Sequence, residues 1–302
     1  MRNRFTGAMV AMAVAAAVSL TVMPLAGQAG RGAAPAGGAA PAPAGQGRGA
    51  APAQPAGRGA AAARPATIAG KPNFNGVWQA LGNAYWNLED HSASGLTQFW
   101  QLGAIAAIPA GQSVVEGGTI PYLPAALKKR QENMAGWPKS DPEAKCYMPG
   151  IPRATYMPYP FQIVQGQKDI LFVYEYASSN RIVHMLTHQE APVDSWMGWS
   201  DGKWEGDTLV IEVTANNDQT WFDRSGNHHS DQLKVTERYA LAPGGNHINY
   251  SATIEDAKTF SRPWTIRMPL YRRMEPNVQL LEFKCVEFSE ELLYGDLKKK
   301  TE

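Results

Sequence analysis

From Phe161 onward the chain consists almost entirely of short apolar and β-branched runs separated by turn residues, and this rhythm restricts its fold more than any other feature. Strands are predicted over 161–165, 169–177, 181–187, 196–200, 207–214, 232–241, 247–256, 264–272 and 279–288. "SDG" (200–202) and "APGGN" (242–246) have the composition of hairpin turns, and Glu205-Gly206-Asp207 reverses the chain within "WEGDTL". Links this short join antiparallel neighbours, because parallel pairs need long crossovers. So many strands curl into a barrel or pack as two sheets. The predicted fold class is therefore all-β: an antiparallel meander forming a barrel or strongly curved sheet.

Before Phe161 the chain changes character. "FNGVWQAL" (74–81) reads as a first strand, and "LPAALKKRQENMAGW" (123–137) as a short helix with Pro124 in its first turn. "CYMPGIPRATYMPYPF" (146–161) holds four prolines and three tyrosines. That proline density stops helices and central strands alike, so a proline-rich irregular wrap over the barrel surface is expected. "SEELLYGDLKKK" (289–300) has the look of a capped terminal helix.

The first 29 residues follow the charged, apolar, small-residue order of a secretory signal peptide. Arg2 and Arg4 precede an apolar stretch from Phe5 to about Ala26, and cleavage is expected after Ala29. An uncleaved membrane anchor is the alternative, since the run is near spanning length. Residues 30–67 are almost all Ala, Gly, Pro, Gln and Arg, with neither acids nor aromatics. Such a segment buries too little surface to offset its ordering entropy, so it reads as a disordered Ala/Gly/Pro linker. A single β-rich domain over 68–302 follows.

Six of the 28 lysines and arginines precede Ile68 but none of the 27 acids does, so the domain carries 22 cations against 27 anions. A mildly acidic domain argues against a nucleic-acid partner. Two cysteines in an exported chain, Cys146 and Cys285, predict one disulfide from an early loop to the last predicted strand. The chain-entropy model values so long a closure at roughly 4–5 kcal/mol.

Alternation assigns faces. Leu233, Val235, Glu237, Tyr239 and Leu241 share one; so do Ile248, Tyr250, Ala252, Ile254 and Asp256. Ile170, Phe172, Tyr174 and Tyr176 form a third set, and Ile182, His184 and Leu186 a fourth. The predicted inner face is thus apolar except for Glu237, His184 and Asp256.

"FNGVW", "KCYMPGIPRATYMPYPFQIVQ", the long run from "WMGWSDG" to "VTERY", and "RPWTIRMPLYRR" together resemble an uncharacterised family of secreted bacterial β-rich proteins. That resemblance covers most of the chain after Lys71 and implies no particular activity. Gly76-Val77-Trp78 also resembles the Gly-x-Trp of lipocalin-like barrels, where the tryptophan closes the barrel floor. The lipocalin Thr-Asp-Tyr motif and a partner arginine on the last strand are not evident in the sequence, and the 82–160 insertion departs from that pattern. What the likeness implies is a barrel and a ligand-binding role.

The candidate chemistry centres on "WFDRSGNHHSD" (221–231) and the strand after it. A carboxyl on an apolar face is driven toward its protonated form unless paired, which suits general acid–base work, and Glu237 is the candidate. His229 supplies a second proton-transfer group and Asp223 an orienter. The structural alternative is a Glu237 satisfied by an arginine, tyrosine or tryptophan from elsewhere in the fold. Adjacent His228 and His229 point opposite ways in extended chain, and no cysteine/histidine spacing suits zinc, so no metal centre is predicted. A surface metal on Asp223, His229 and Asp231 is the weaker option. No Gly-x-Ser-x-Gly and no phosphate loop occurs, so no nucleotide or other cofactor is expected. Trp196, Trp199, Trp204 and Trp221 fall in one short window, and their rings suit a sugar or aromatic ligand as well as a core.

The favoured expectation is a periplasmic or secreted protein that binds a small organic molecule or saccharide in an aromatic-lined barrel pocket. His184, the four tryptophans and Tyr239 would line that pocket, with no stable membrane insertion after processing. The alternatives are a hydrolase, lyase or isomerase using Glu237, His229 and Asp223, and a structural envelope protein. The oligomeric state is left open by the sequence.

Overall fold

The computed structural model describes residues 64–96, 102, 107–186 and 188–297. The signal-peptide assignment and the linker up to residue 63 lie outside the described residues. Nine strands close a barrel: β3 (Gly76–Ala80), β6 (Phe161–Gln165), β7 (Asp169–Tyr174), β8 (Asn180–His184), β9 (Trp199–Glu205), β10 (Thr208–Thr214), β11 (Lys234–Leu241), β12 (His247–Glu255) and β13 (Trp264–Arg272). Two two-stranded ribbons stand apart, β1 (Thr67–Ile68) with β2 (Lys71–Pro72) and β4 (Ser94–Gly95) with β5 (Ala107–Ile108). The helices are α1 (Pro124–Gly136), with Pro124 in its first turn, α2 (Arg153–Tyr156) and α3 (Ser289–Tyr294).

Strand order around the ring is sequential, with β3 seated between β13 and β6. An odd ring cannot be antiparallel throughout, because strand directions that alternate around nine members fail to match at the closure. The mismatch falls at β8 and β9, which pair in parallel through Val183↔Ser200 and His184↔Asp201. The long connection over 185–198 makes that pairing possible.

Inward alternation builds the core. Phe161 and Ile163, Ile170, Phe172 and Tyr174, Leu209, Ile211 and Val213, Val235 and Tyr239, and Ile248, Tyr250 and Ile254 are all buried in one cluster. Phe161, Phe172, Tyr174, Tyr239 and Tyr250 form a run of neighbouring rings across the barrel. The wrap over 81–160 is pinned to one end of the barrel by isolated pairings of Val115 with Ile266 and Tyr122 with Phe260.

Four sequence expectations are corrected. First, β8 turns Arg181 and Val183 inward, while Ile182 is half exposed and His184 lies outside with Leu186. Second, "SDG" is not a turn: it runs through β9, and Gly202 is small because a Cβ there would sit 2.4 Å from Met185 Sδ. Third, residues 279–288 form no strand, because the barrel closes through β3 and leaves no ladder to join. Fourth, the end of the expected linker belongs to the fold: Asn73 donates through its backbone N–H to Ala66 O and through Nδ2 to Pro65 O.

Cys146 and Cys285 form the expected disulfide, with Cα atoms 5.7 Å apart. It ties the wrap to the irregular segment after β13, and it fits export to an oxidising compartment. Among the described residues, no helix is long and apolar enough to cross a membrane.

Candidate functional site

Alternation carries Glu237 to the centre of the barrel, where it is completely buried. Arg181 Nη1 donates to Glu237 Oε2 at 2.6 Å, and the hydroxyls of Tyr239 and Tyr250 donate to Oε1 at 2.9 and 2.8 Å. Arg181 also donates to the Tyr239 hydroxyl oxygen at 3.1 Å and stacks on Phe172, its guanidinium carbon 4.6 Å from the ring centre. Burial raises the tyrosine pKa values, and the neighbouring Glu237 charge raises them further, so both hydroxyls keep the protons they donate. Each Glu237 oxygen is thus engaged, and large rings fill the space around it. This matches the structural alternative for Glu237.

The 221–231 loop is organised from within. Trp221 and His228 face each other as an isolated antiparallel pair, and Phe222 N donates to Asn227 O at 2.6 Å. Asp223 lies at its centre, fully buried, accepting from Leu88 N, Ser225 N, Asn227 N and Asn227 Nδ2. Burial raises its pKa to about 6, even though these donors and Arg153 favour the charged form. His229 is buried with both nitrogens engaged, Nδ1 against Ser230 O at 2.8 Å and Nε2 against Thr220 Oγ1 at 2.6 Å. A carbonyl can only accept, so Nδ1 carries the proton and Thr220 donates to Nε2. Burial depresses the His229 pKa and keeps the ring neutral.

The expected Glu237–His229–Asp223 constellation is therefore not assembled. All three side chains are buried, but each spends its polar atoms on other partners. Asp256 is buried just past β12, where it accepts from Ser230 N and Oγ at 2.6 and 2.8 Å and anchors the loop to the end of that strand. Among the described residues, no group of three or more His, Cys, Asp or Glu side chains is arranged to hold a metal.

A second charged lattice joins the wrap to this loop. Arg153 donates to both Asp141 oxygens, at 2.9 and 3.1 Å, and to Glu143 Oε2 at 2.5 Å. Arg224 donates to Glu143 through Nε and Nη2, at 2.9 and 2.6 Å, and lies over the Trp86 ring. The two guanidinium groups hold the Glu143 carboxyl below its ordinary range against the cost of burial. The sequence signals this lattice only by an Asp-Pro-Glu triplet (141–143) close to Arg153 in the proline-rich wrap.

Two clefts open beside this lattice. One, of about 230 Å³, has Glu143 and Arg224 at its floor, with Trp137, Tyr159, Tyr176 and Phe283 around them. The other, of about 360 Å³, is bounded by Tyr147, Trp196, Trp221 and His228, with Lys129, Lys145, Asp218 and Gln219 supplying polar groups. The Tyr147 and Trp196 rings lie 5.0 Å apart, and Tyr147 is 48 % exposed.

The four tryptophans thus divide. Trp196 and Trp221 share this cleft. Trp199 stacks on His184 at 4.5 Å, on the outer side of the β8–β9 seam. Trp204 packs against Phe74 at the edge of the core. Tyr239 is sealed in the interior network. Comparison with family models, curated proteins and solved structures finds no match.

Proposed function

We propose that this is an exported, periplasmic or secreted binding protein whose ligand is a saccharide or small aromatic molecule. The ligand would be held in the cleft between Tyr147, Trp196, Trp221 and His228 rather than inside the barrel. The observation that carries this reading is the placement of the Tyr147–Trp196 ring pair, an exposed tyrosine on a partly buried tryptophan, at a cleft with lysine, carboxylate and amide groups around it. Flat rings with polar groups at their edges match the apolar faces and hydroxyl rims of sugars. The packed interior, with Glu237 fully engaged, leaves the outer cleft as the better-equipped site. The lipocalin-like reading gains support from Arg272 on β13, whose guanidinium lies 4.0 Å from the centre of the Trp78 ring.

The test is a tryptophan-fluorescence and thermal-shift titration with a panel of mono- and oligosaccharides and small aromatics. At least one ligand class should quench fluorescence and raise the Tm. Trp196→Ala should weaken it by roughly tenfold, about 1.4 kcal/mol, with an unchanged near-ultraviolet spectrum away from that residue. No shift across the panel, or equal affinity in the variant, would overturn the reading.

A further inference from the structure

The other end of the barrel carries a separate feature. A groove of about 850 Å³ lies where residues 64–66, the β11–β12 turn and the chain leaving β13 meet. Leu241, Met274 and Val278 give it an apolar wall, and Met274 is 67 % exposed. It holds three arginines, Arg64, Arg272 and Arg273, against one carboxylate, Glu275. Arg273 takes that carboxylate, at 2.7 Å. Among the described residues, neither Arg64 nor Arg272 forms an ion pair.

Arg272 is buried against the Trp78 ring, and among the described residues no carboxylate pairs with it. Its Nε donates to Gly245 O at 2.8 Å, Nη1 donates to Asn75 O and Nη2 to Asn73 O, all neutral acceptors. Among the described residues, three of the five guanidinium N–H groups find an acceptor. Arg64 approaches the same point: a Cβ built on Gly76 would lie 2.3 Å from Arg272 Nη1 and 3.6 Å from Arg64 Nη1. Burial, and then the Arg64 charge, pull the Arg272 pKa down to about 10, the reverse of what a carboxylate partner would do. Two like charges thus meet at one end of an apolar groove, where an anion would offset both.

We infer that the Arg64–Arg272 pair is the head-group site for a small amphiphilic carboxylate whose apolar body lies along Leu241, Met274 and Val278. Guanidinium groups accept carboxylates through paired charge-assisted hydrogen bonds, and the groove volume suits a small organic molecule. The site is independent of the saccharide or aromatic cleft, because β13 separates Trp264, which contacts Phe222 of the 221–231 loop, from Arg272 at its opposite end.

The experiment is isothermal titration of the purified full chain with octanoate, 1-octanol and inorganic phosphate, alongside Arg64→Gln. Arg64 is exposed, so its loss spares the packing of Arg272 on Trp78. Octanoate should bind the wild type, more weakly as salt rises, and roughly tenfold more weakly in Arg64→Gln. Trp196→Ala should leave octanoate binding unchanged. Equal binding of octanol would remove the charge from the proposal, and equal binding of phosphate would remove the apolar wall. No heat with octanoate, or an unaltered affinity in Arg64→Gln, overturns it.

Discussion

Two buried arginine–carboxylate systems in this protein have the same chemistry and different surroundings. Arg181 and Glu237 lie at the centre of the barrel, enclosed by Phe172, Tyr239 and Tyr250. Arg153, Asp141, Glu143 and Arg224 lie where the wrap meets the 221–231 loop, and two clefts open beside them. Burial of charge is therefore a poor marker of a site by itself. What separates the two is space: the interior has filled its volume with rings, while the outer lattice lines one cleft through Asp141, Glu143 and Arg224. In the first, the ion pair joins β8 to β11 across the barrel interior; in the second, it joins the wrap to the 221–231 loop.

The largest test of this contrast is covalent. Cys146 and Cys285 join the wrap to the segment that supplies Phe283, and both cysteines flank the lattice and not the barrel centre. Replacing both by serine should cost up to about 5 kcal/mol in denaturant unfolding. In hydrogen exchange, amides over 137–160 and 274–288 should lose protection first, with those of β10, β11 and β12 last. Uniform loss across the barrel would erase the distinction. Next in size is Glu237→Gln, which leaves Arg181 charged and buried and should cost about 3–5 kcal/mol. Replacing both partners, Arg181→Met with Glu237→Leu, should recover most of that. A Glu237→Gln protein of wild-type stability would show that the interior is not sealed.

Glu143→Gln belongs to the outer system and should cost less, about 2–3 kcal/mol. Arg153 keeps its bidentate grip on Asp141, and Arg224 retains some solvent at 18 % side-chain exposure. The comparison fails if this variant is as damaged as Glu237→Gln.

Much of the barrel could be read from the sequence, because alternation over long strands is a repeated, redundant signal. The runs that became β6, β10, β11, β12 and β13 each bury one face over five or more residues. Glu237 is legible for the same reason. Its partner is not: β8 has only five residues, and a phase error of one exchanges Arg181 for Ile182. Gly202 misleads because a glycine admitting a neighbouring strand looks like a glycine making a turn. The outer lattice depends on residues 141, 143, 153 and 224, drawn together by an irregular wrap that has no periodicity to extrapolate. The histidines were conspicuous in sequence, yet His229 is committed to Thr220 and Ser230, while His228, beside it, reaches the cleft.

His228 gives the smallest effect and the most local one. Burial, then the neighbouring His229, depress its pKa from the ordinary 6.5 to about 4; Lys129 adds to this, while Asp256 and the Gly226 backbone oppose it. The folded protein therefore holds the ring neutral where the unfolded chain would protonate it. Stability from this residue is complete above about pH 6.5 and is lost as pH falls toward 4. Asp223 runs the other way: its raised pKa makes the fold favour the protonated acid, so its contribution falls as pH rises from about 4 to 6. The two partly offset in the wild type. Burial lowers the His229 pKa too, so His229 adds a slope of the same sign as His228. His228→Gln removes only the His228 share, so that wild-type stability gains on the variant by about 1 kcal/mol between pH 4.5 and 6.5, after allowing for solvent at this half-buried ring. Denaturant melts of both proteins at the two pH values measure that difference directly. Parallel pH profiles would mean that His228 is as free to protonate at the cleft as it is in the unfolded chain.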